Sequence, residues 1–143
     1  MTRIHRSALV AHSDQQMFQL VNDIEAYPQY MDGCVGAEVL ARSGNEVTAR
    51  LDLSKLGMRY SFTPRNTLVA PQSMDMQLVE GPFKQFKGVW SFKALADNAC
   101  KVSLDLEFEF SNRLVAKAAA KWLESVANEL VGGLCRRAQQ IYG

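Results

Sequence analysis

The sequence predicts an α+β fold in which a curved antiparallel sheet of about seven strands wraps around one long C-terminal helix, with two short helices after the first strand. Three observations carry this expectation. Apolar residues alternate with polar ones through most of the stretch 34–110, the period of a half-buried strand. The apolar spacing then changes to three and four residues for the rest of the chain, the period of an amphipathic helix. With 48% hydrophobic and 22% charged residues, the chain also has enough apolar side chain for a full core. A sheet with one apolar face and a helix with one apolar stripe can bury each other if the sheet curls around the helix.

Residues 2–11 are short, β-compatible and read as the first strand. Ser13-Asp14-Gln15-Gln16 has the form of a capping box, with Ser13 as N-cap and Gln16 reaching back. Met17, Leu20, Val21 and Ile24 follow at helical spacing, and Pro28 stops or restarts the helix before a second turn that ends near Met31. Six runs with period two come next. Val35, Ala37, Val39 and Ala41 form the first, and Ser43-Gly44-Asn45 turns the chain. Val47, Ala49, Leu51 and Leu53 form the second. Gly57 breaks the pattern, which Met58, Tyr60 and Phe62 resume. Ala70-Pro71-Gln72 precedes Met74, Met76 and Leu78; Gly81-Pro82 precedes Phe86, Trp90 and Phe92. After Asp97-Asn98 the last run points Val102, Leu104, Leu106, Phe108 and Phe110 to one face. Short turns between such runs make an antiparallel meander. Val115, Ala119, Trp122, Val126, Leu130 and Leu134 then trace one stripe of a helix over 113–142, capped by Ser111 or Asn112 and roughly 45 Å long. Gly132-Gly133 inside it costs about 1 kcal/mol per glycine relative to alanine, which marks a bend, a place where the helix backbone approaches something closely, or a weak helix end.

A length of 143 residues fits one domain spanning 1–143. The net charge of +1, from 16 basic and 15 acidic residues, gives no global field for gathering polyanions, so DNA is not an expected partner. The three cysteines, an odd number without a C-x-x-C pair, fit a reducing compartment. Charges in 1–6 stand where a signal peptide needs an apolar run, and no stretch has the roughly 18 apolar residues of a spanning helix. The expectation is a cytoplasmic protein with at most peripheral contact at the inner membrane.

For chemistry the sequence offers few groups. His5 and His12 lie near the N-terminus and read as ordinary surface histidines, and no spacing suits a metal site. Cys34, after Asp32-Gly33, reads as a small buried or half-buried thiol rather than a nucleophile. No catalytic residue is therefore assigned. Tyr27-Pro28-Gln29-Tyr30-Met31 reads as a plug closing one end of the sheet, with a membrane-touching lip as the alternative. Met58, Met74 and Met76 join aromatic residues on the inner face, and Phe62, Met76, Phe86, Trp90 and Phe108 are the expected walls of an apolar tunnel. Tyr60 and Asn66 share that parity and offer hydrogen bonds to a carbonyl-bearing head group. Trp122 faces them from the helix as a packed residue or a cavity wall. Arg113, Lys117, Lys121, Arg136 and Arg137 put positive charge on the outer side of the last helix, a solvated face or a patch for RNA or anionic lipid.

Several segments also resemble a known family. They are Leu20-Val21-Asn22-Asp23-Ile24-Glu25-Ala26-Tyr27-Pro28-Gln29-Tyr30, Asp32-Gly33-Cys34, Phe62-Thr63-Pro64-Arg65-Asn66, Glu80-Gly81-Pro82-Phe83-Lys84, Trp90-Ser91-Phe92 and Leu106-Glu107-Phe108-Glu109-Phe110. In this order, nearly end to end, they resemble the START-like (SRPBCC, polyketide cyclase/dehydrase) superfamily. Within it they look like the bacterial group that holds the RatA ribosome association toxins and is related to mitochondrial coenzyme Q-binding proteins. The resemblance implies a helix-grip fold. It also implies non-enzymatic binding of a hydrophobic molecule, ubiquinone, in support of respiration, with no cofactor required beyond such a bound quinone. The alternative it implies is a toxin that binds the large ribosomal subunit and blocks subunit association; a polyketide cyclase-like enzyme is third. Pro64 departs from the pattern, and since proline lacks an amide donor its strand position is expected at an edge or bulge.

Overall fold

The computed structural model describes residues 2–143. Strand β1 (Thr2–Val10) leads to helix α1 (Asp14–Asn22), a 3-10 turn (Ile24–Ala26) and the single-turn helix α2 (Tyr27–Tyr30). Strands β2 (Cys34–Ser43), β3 (Glu46–Lys55), β4 (Met58–Val69), β5 (Ser73–Glu80), β6 (Phe83–Ala96) and β7 (Ala99–Phe110) follow. A second 3-10 turn (Arg113–Val115) opens α3 (Ala116–Tyr142). The strands form one antiparallel sheet in the order β1-β7-β6-β5-β4-β3-β2. β2 to β7 are thus a meander of neighbouring hairpins, and β1 returns to close it beside β7.

The core forms where the inner face of this sheet meets α3. Val102, Leu104, Leu106, Phe108 and Phe110 on β7 are all buried, as their alternation predicts. Trp122, Val126, Val131 and Leu134 meet the sheet from α3. Ser13 caps α1 through its hydroxyl, which accepts from the Gln16 amide at 3.1 Å, while the Gln16 side chain accepts from the Ser13 amide at 3.0 Å. Pro28 occupies the first turn of α2, where its missing N–H costs nothing, so it restarts the chain's helical course. Phe18 of α1 packs edge-on against Phe92 of β6 at 5.7 Å.

Two expectations are corrected here. Val35 and Ala41 do not share the inner face with Ala37 and Val39; Val35, Leu40 and Ala41 are exposed. The β2–β3 register slips between Cys34 and Gly36 and again between Val39 and Ala41, and each slip inserts a residue that reverses parity. His12 is buried instead of lying on the surface, because the last turn of α3 crosses it and sets the Tyr142 ring 5.8 Å from the imidazole. Gly132-Gly133 does not end the helix, which runs unbroken to Tyr142. At Gly133 a Cβ would stand 3.2 Å from Glu129 Oε1, a tight contact within the helix, and 3.5 Å from Met31 Cγ, an ordinary contact with the segment after α2. Pro64 lies on an interior strand, at a slip of the β4–β5 register between Thr63 and Pro64. The bulge is how an interior strand accommodates a residue with no amide to donate.

Candidate functional site

The inner sheet face and α3 enclose a small apolar cavity. Its floor comes from Ala49 and Leu51 of β3, Phe62, Pro64 and Asn66 of β4, Met76 of β5, Phe86 and Trp90 of β6 and Leu106 of β7. Leu123, Val126 and Leu130 form the roof, at the three- and four-residue steps that keep one helix face inward. Ile24 and Tyr27 close one end. Where a tunnel is expected, these walls enclose about 40 Å³, space for roughly two or three waters. A larger molecule enters only by displacing side chains, and methionine is well suited to move. Met76 crosses over Gly88, where an added Cβ would come within 2.5 Å of Met76 Cε.

Of the residues assigned from sequence, Phe62, Asn66, Met76, Phe86 and Trp90 come together in this wall. Phe108, Tyr60 and Trp122 do not line it. Tyr60 is half-buried and meets Trp122 edge-on at 5.0 Å, with Phe110 at 6.0 Å. The Trp122 indole N–H donates to the Met58 carbonyl at 3.2 Å, which fixes the ring as a strut between α3 and β4. Phe108 packs against Phe83 at 6.0 Å and Phe110 at 5.7 Å. Phe83, not assigned from sequence, is the hub of this aromatic group, with Phe110 at 4.6 Å and Phe86 at 4.9 Å. Period-two counting cannot place Phe83 and Phe86 on one face; the β6–β7 slip between Phe83 and Gln85 does so. Tyr27, Ile24 and the α3 residues were also missed as wall residues; helical spacing shows that they are buried but not what they surround.

Two polar side chains reach the wall. The Tyr27 hydroxyl donates to the Val21 carbonyl, and burial pushes its pKa well above the usual tyrosine value, so it stays protonated. Asn66 is 4% exposed, and its Oδ1 has no hydrogen-bond partner. Such a group costs about 1–3 kcal/mol when left unpaired. The two do not form an acid–base pair in this wall. Burial raises the Cys34 thiol pKa, and that of Cys100 to about 11, the reverse of nucleophile activation. Among the described residues no three His, Cys, Asp or Glu side chains are grouped to hold a metal.

The segment between α1 and β2 is a plug. Tyr27 and Met31 are buried, and Tyr30 lies beneath the Arg137 guanidinium at 5.2 Å. That contact, with Arg137 donating to Gln29 at 3.2 Å, withdraws Arg137 from the basic face of α3. Arg136 is paired with Glu129 at 2.5 Å. Arg113, Lys117 and Lys121 remain exposed. No helix among the described residues is long and apolar enough to cross a membrane.

Comparison with known proteins agrees with this architecture. The family model described as polyketide cyclase / dehydrase and lipid transport matches residues 10–135. A Vibrio cholerae protein named ribosome association toxin RatA is 44% identical over 100% of this chain and 99% of its own. The protein of that name from Escherichia coli K12 is 42% identical over 99% of this chain and 90% of its own. The mitochondrial coenzyme Q-binding protein COQ10 of Drosophila melanogaster is more distant, 23% identical over 96% of this chain and 59% of its own. The solved ZhuI aromatase/cyclase of a Streptomyces species superposes with a TM-score of 0.92 at 13% identity, over 99% of this chain and 96% of that one, a likeness of fold. The helix gripped by a seven-stranded sheet and the end-to-end match lead to one assignment: the chain belongs to the polyketide cyclase / dehydrase and lipid transport family, in the branch that holds the RatA proteins.

Proposed function

We propose that the protein is a non-enzymatic ribosome association factor that binds the large ribosomal subunit and hinders its joining to the small one. The end-to-end identity of 42–44% to proteins named RatA supports this reading. The exposed cations Arg113, Lys117 and Lys121 give a local face for phosphate contact that the net charge of +1 does not reveal. The test is sucrose-gradient sedimentation of purified subunits with the protein in molar excess. Joined ribosomes are expected to diminish while the protein travels with large subunits, and less so as salt rises. Unchanged joining with the protein left at the top of the gradient refutes the proposal.

A second reading, binding of an apolar molecule with one polar end such as ubiquinone, is favoured by Asn66. It brings an unpaired buried oxygen to a wall that is otherwise apolar, apart from the committed Tyr27 hydroxyl. Native mass spectrometry of protein purified from its own host, followed by lipid extraction, is expected to show a retained lipid. Protein of bare mass throughout would eliminate this reading.

A further inference from the structure

The β3–β4 turn holds a residue that its geometry disfavours. Lys55 pairs with Met58 across the ladder, which leaves Leu56 and Gly57 as a two-residue loop with φ of +54° and +77°. Positive φ at both positions defines the mirror-image hairpin turn, for which Asn-Gly is a preferred sequence. Gly57 suits it; a leucine at positive φ is strained. Packing does not repay the strain, since Leu56 is 68% exposed. Strain retained without burial points to a use for the side chain outside the fold.

A second leucine stands out at the same end. Leu114, in the 3-10 turn that opens α3, is 96% exposed. Trp122 ties the base of the β3–β4 turn to α3 through the Met58 carbonyl, and Phe110, just before the 3-10 turn, lies 6.0 Å from Tyr60. Cations flank both leucines. Lys55 and Arg59 bracket Leu56, while Arg113, Lys117 and Lys121 lie around and after Leu114; segments 53–60 and 110–123 contain no carboxylate. Lys55 is shared with Asp32 at 3.1 Å, and Glu109 lies beside Arg113, which leaves the strip net positive.

We propose that this end of the molecule docks on an anionic lipid bilayer, with Leu56 and Leu114 entering the interface and the cations meeting headgroup phosphates. Exposed aliphatic tips ringed by lysine and arginine complement such a surface in both respects. Phosphates of ribosomal RNA can meet the same cations but leave the two exposed leucines without an apolar partner, which a bilayer supplies. The test compares flotation with vesicles of phosphatidylcholine and of phosphatidylcholine mixed with phosphatidylglycerol. The wild type is expected to bind the mixed vesicles, with binding weakened by salt, and not the neutral ones. Leu56→Asn puts a favoured residue in the turn, so its melting temperature should hold or rise while vesicle affinity falls about tenfold. Leu114→Ser should lose a similar factor. Absence of wild-type binding to mixed vesicles overturns the proposal, as does wild-type affinity in both variants. If both variants keep vesicle binding and lose large-subunit sedimentation, the surface belongs to the ribosome. A clear fall in the melting temperature of Leu56→Asn would remove the strain argument.

Discussion

Trp122 carries the joint between helix and sheet. It is 1% exposed, hydrogen-bonded to Met58 and flanked by Tyr60. Trp122→Ala is expected to cost about 3–5 kcal/mol in a denaturant melt, the range for deleting a packed aromatic. A loss under about 1 kcal/mol would mean that the site collapses freely, contrary to its fixed indole N–H. The thiols give a pH prediction. With its pKa raised to about 11, Cys100 stays protonated below that value and gains nucleophilicity only as pH climbs toward it. Cys100 is also fully buried, so iodoacetamide should modify it slowly across about pH 8 to 9, where a free thiol reacts readily, and only unfolding in denaturant should bring it to the free-thiol rate. Asn66 was legible as a polar residue with inward parity, and it is inward. Its unpaired oxygen was not legible, because pairing depends on neighbours brought in from β3 and β5.

Within the elements, the two glycines of α3 behave differently. A Cβ on Gly133 would come within 3.2 Å of the Glu129 carboxylate, whereas a Cβ on Gly132 would meet only the mobile end of Arg136, at 3.5 Å. Gly132→Ala is thus expected to stabilise the protein by up to about 1 kcal/mol, the helix-propensity difference, read as a raised melting temperature. A destabilised variant would show that the helix needs freedom at this point. Periodicity reported β7 and α3 faithfully because neither contains a slip between Val102 and Leu134. It failed on β2 and at the start of β6, where bulges reverse parity and where no residue type announces the extra position. Pro64 was the exception: a proline within an apolar run is itself a bulge signal, and the register slips there.

Taken whole, the molecule grips α3 well but leaves one thin space beside it. The order of elements made the grip legible in the sequence. The space was not, since a volume of about 40 Å³ is a small difference between large packed volumes. Ala49 sits on its floor, fully buried. Ala49→Leu should fill the space, at an overpacking cost of about 1–3 kcal/mol, and lower the amount of lipid extracted per protein. Ala49→Val, a smaller intrusion, should lower it less. Equal lipid in all three proteins would place the ligand elsewhere.

The order of the strands also governs how the chain must fold. Each hairpin from β2 to β7 joins near neighbours, a local step that closes quickly. β1 is made first and yet pairs with β7, as Thr2 opposite Phe108 shows. The helix that covers the sheet's apolar face follows all seven strands. During synthesis, then, the N-terminal strand waits unpaired while β2 to β7 assemble with their inner side chains open to water, a state prone to association with other chains. β1 can dock once β7 has been made, and the core is complete only when α3, which follows both, covers the inner face.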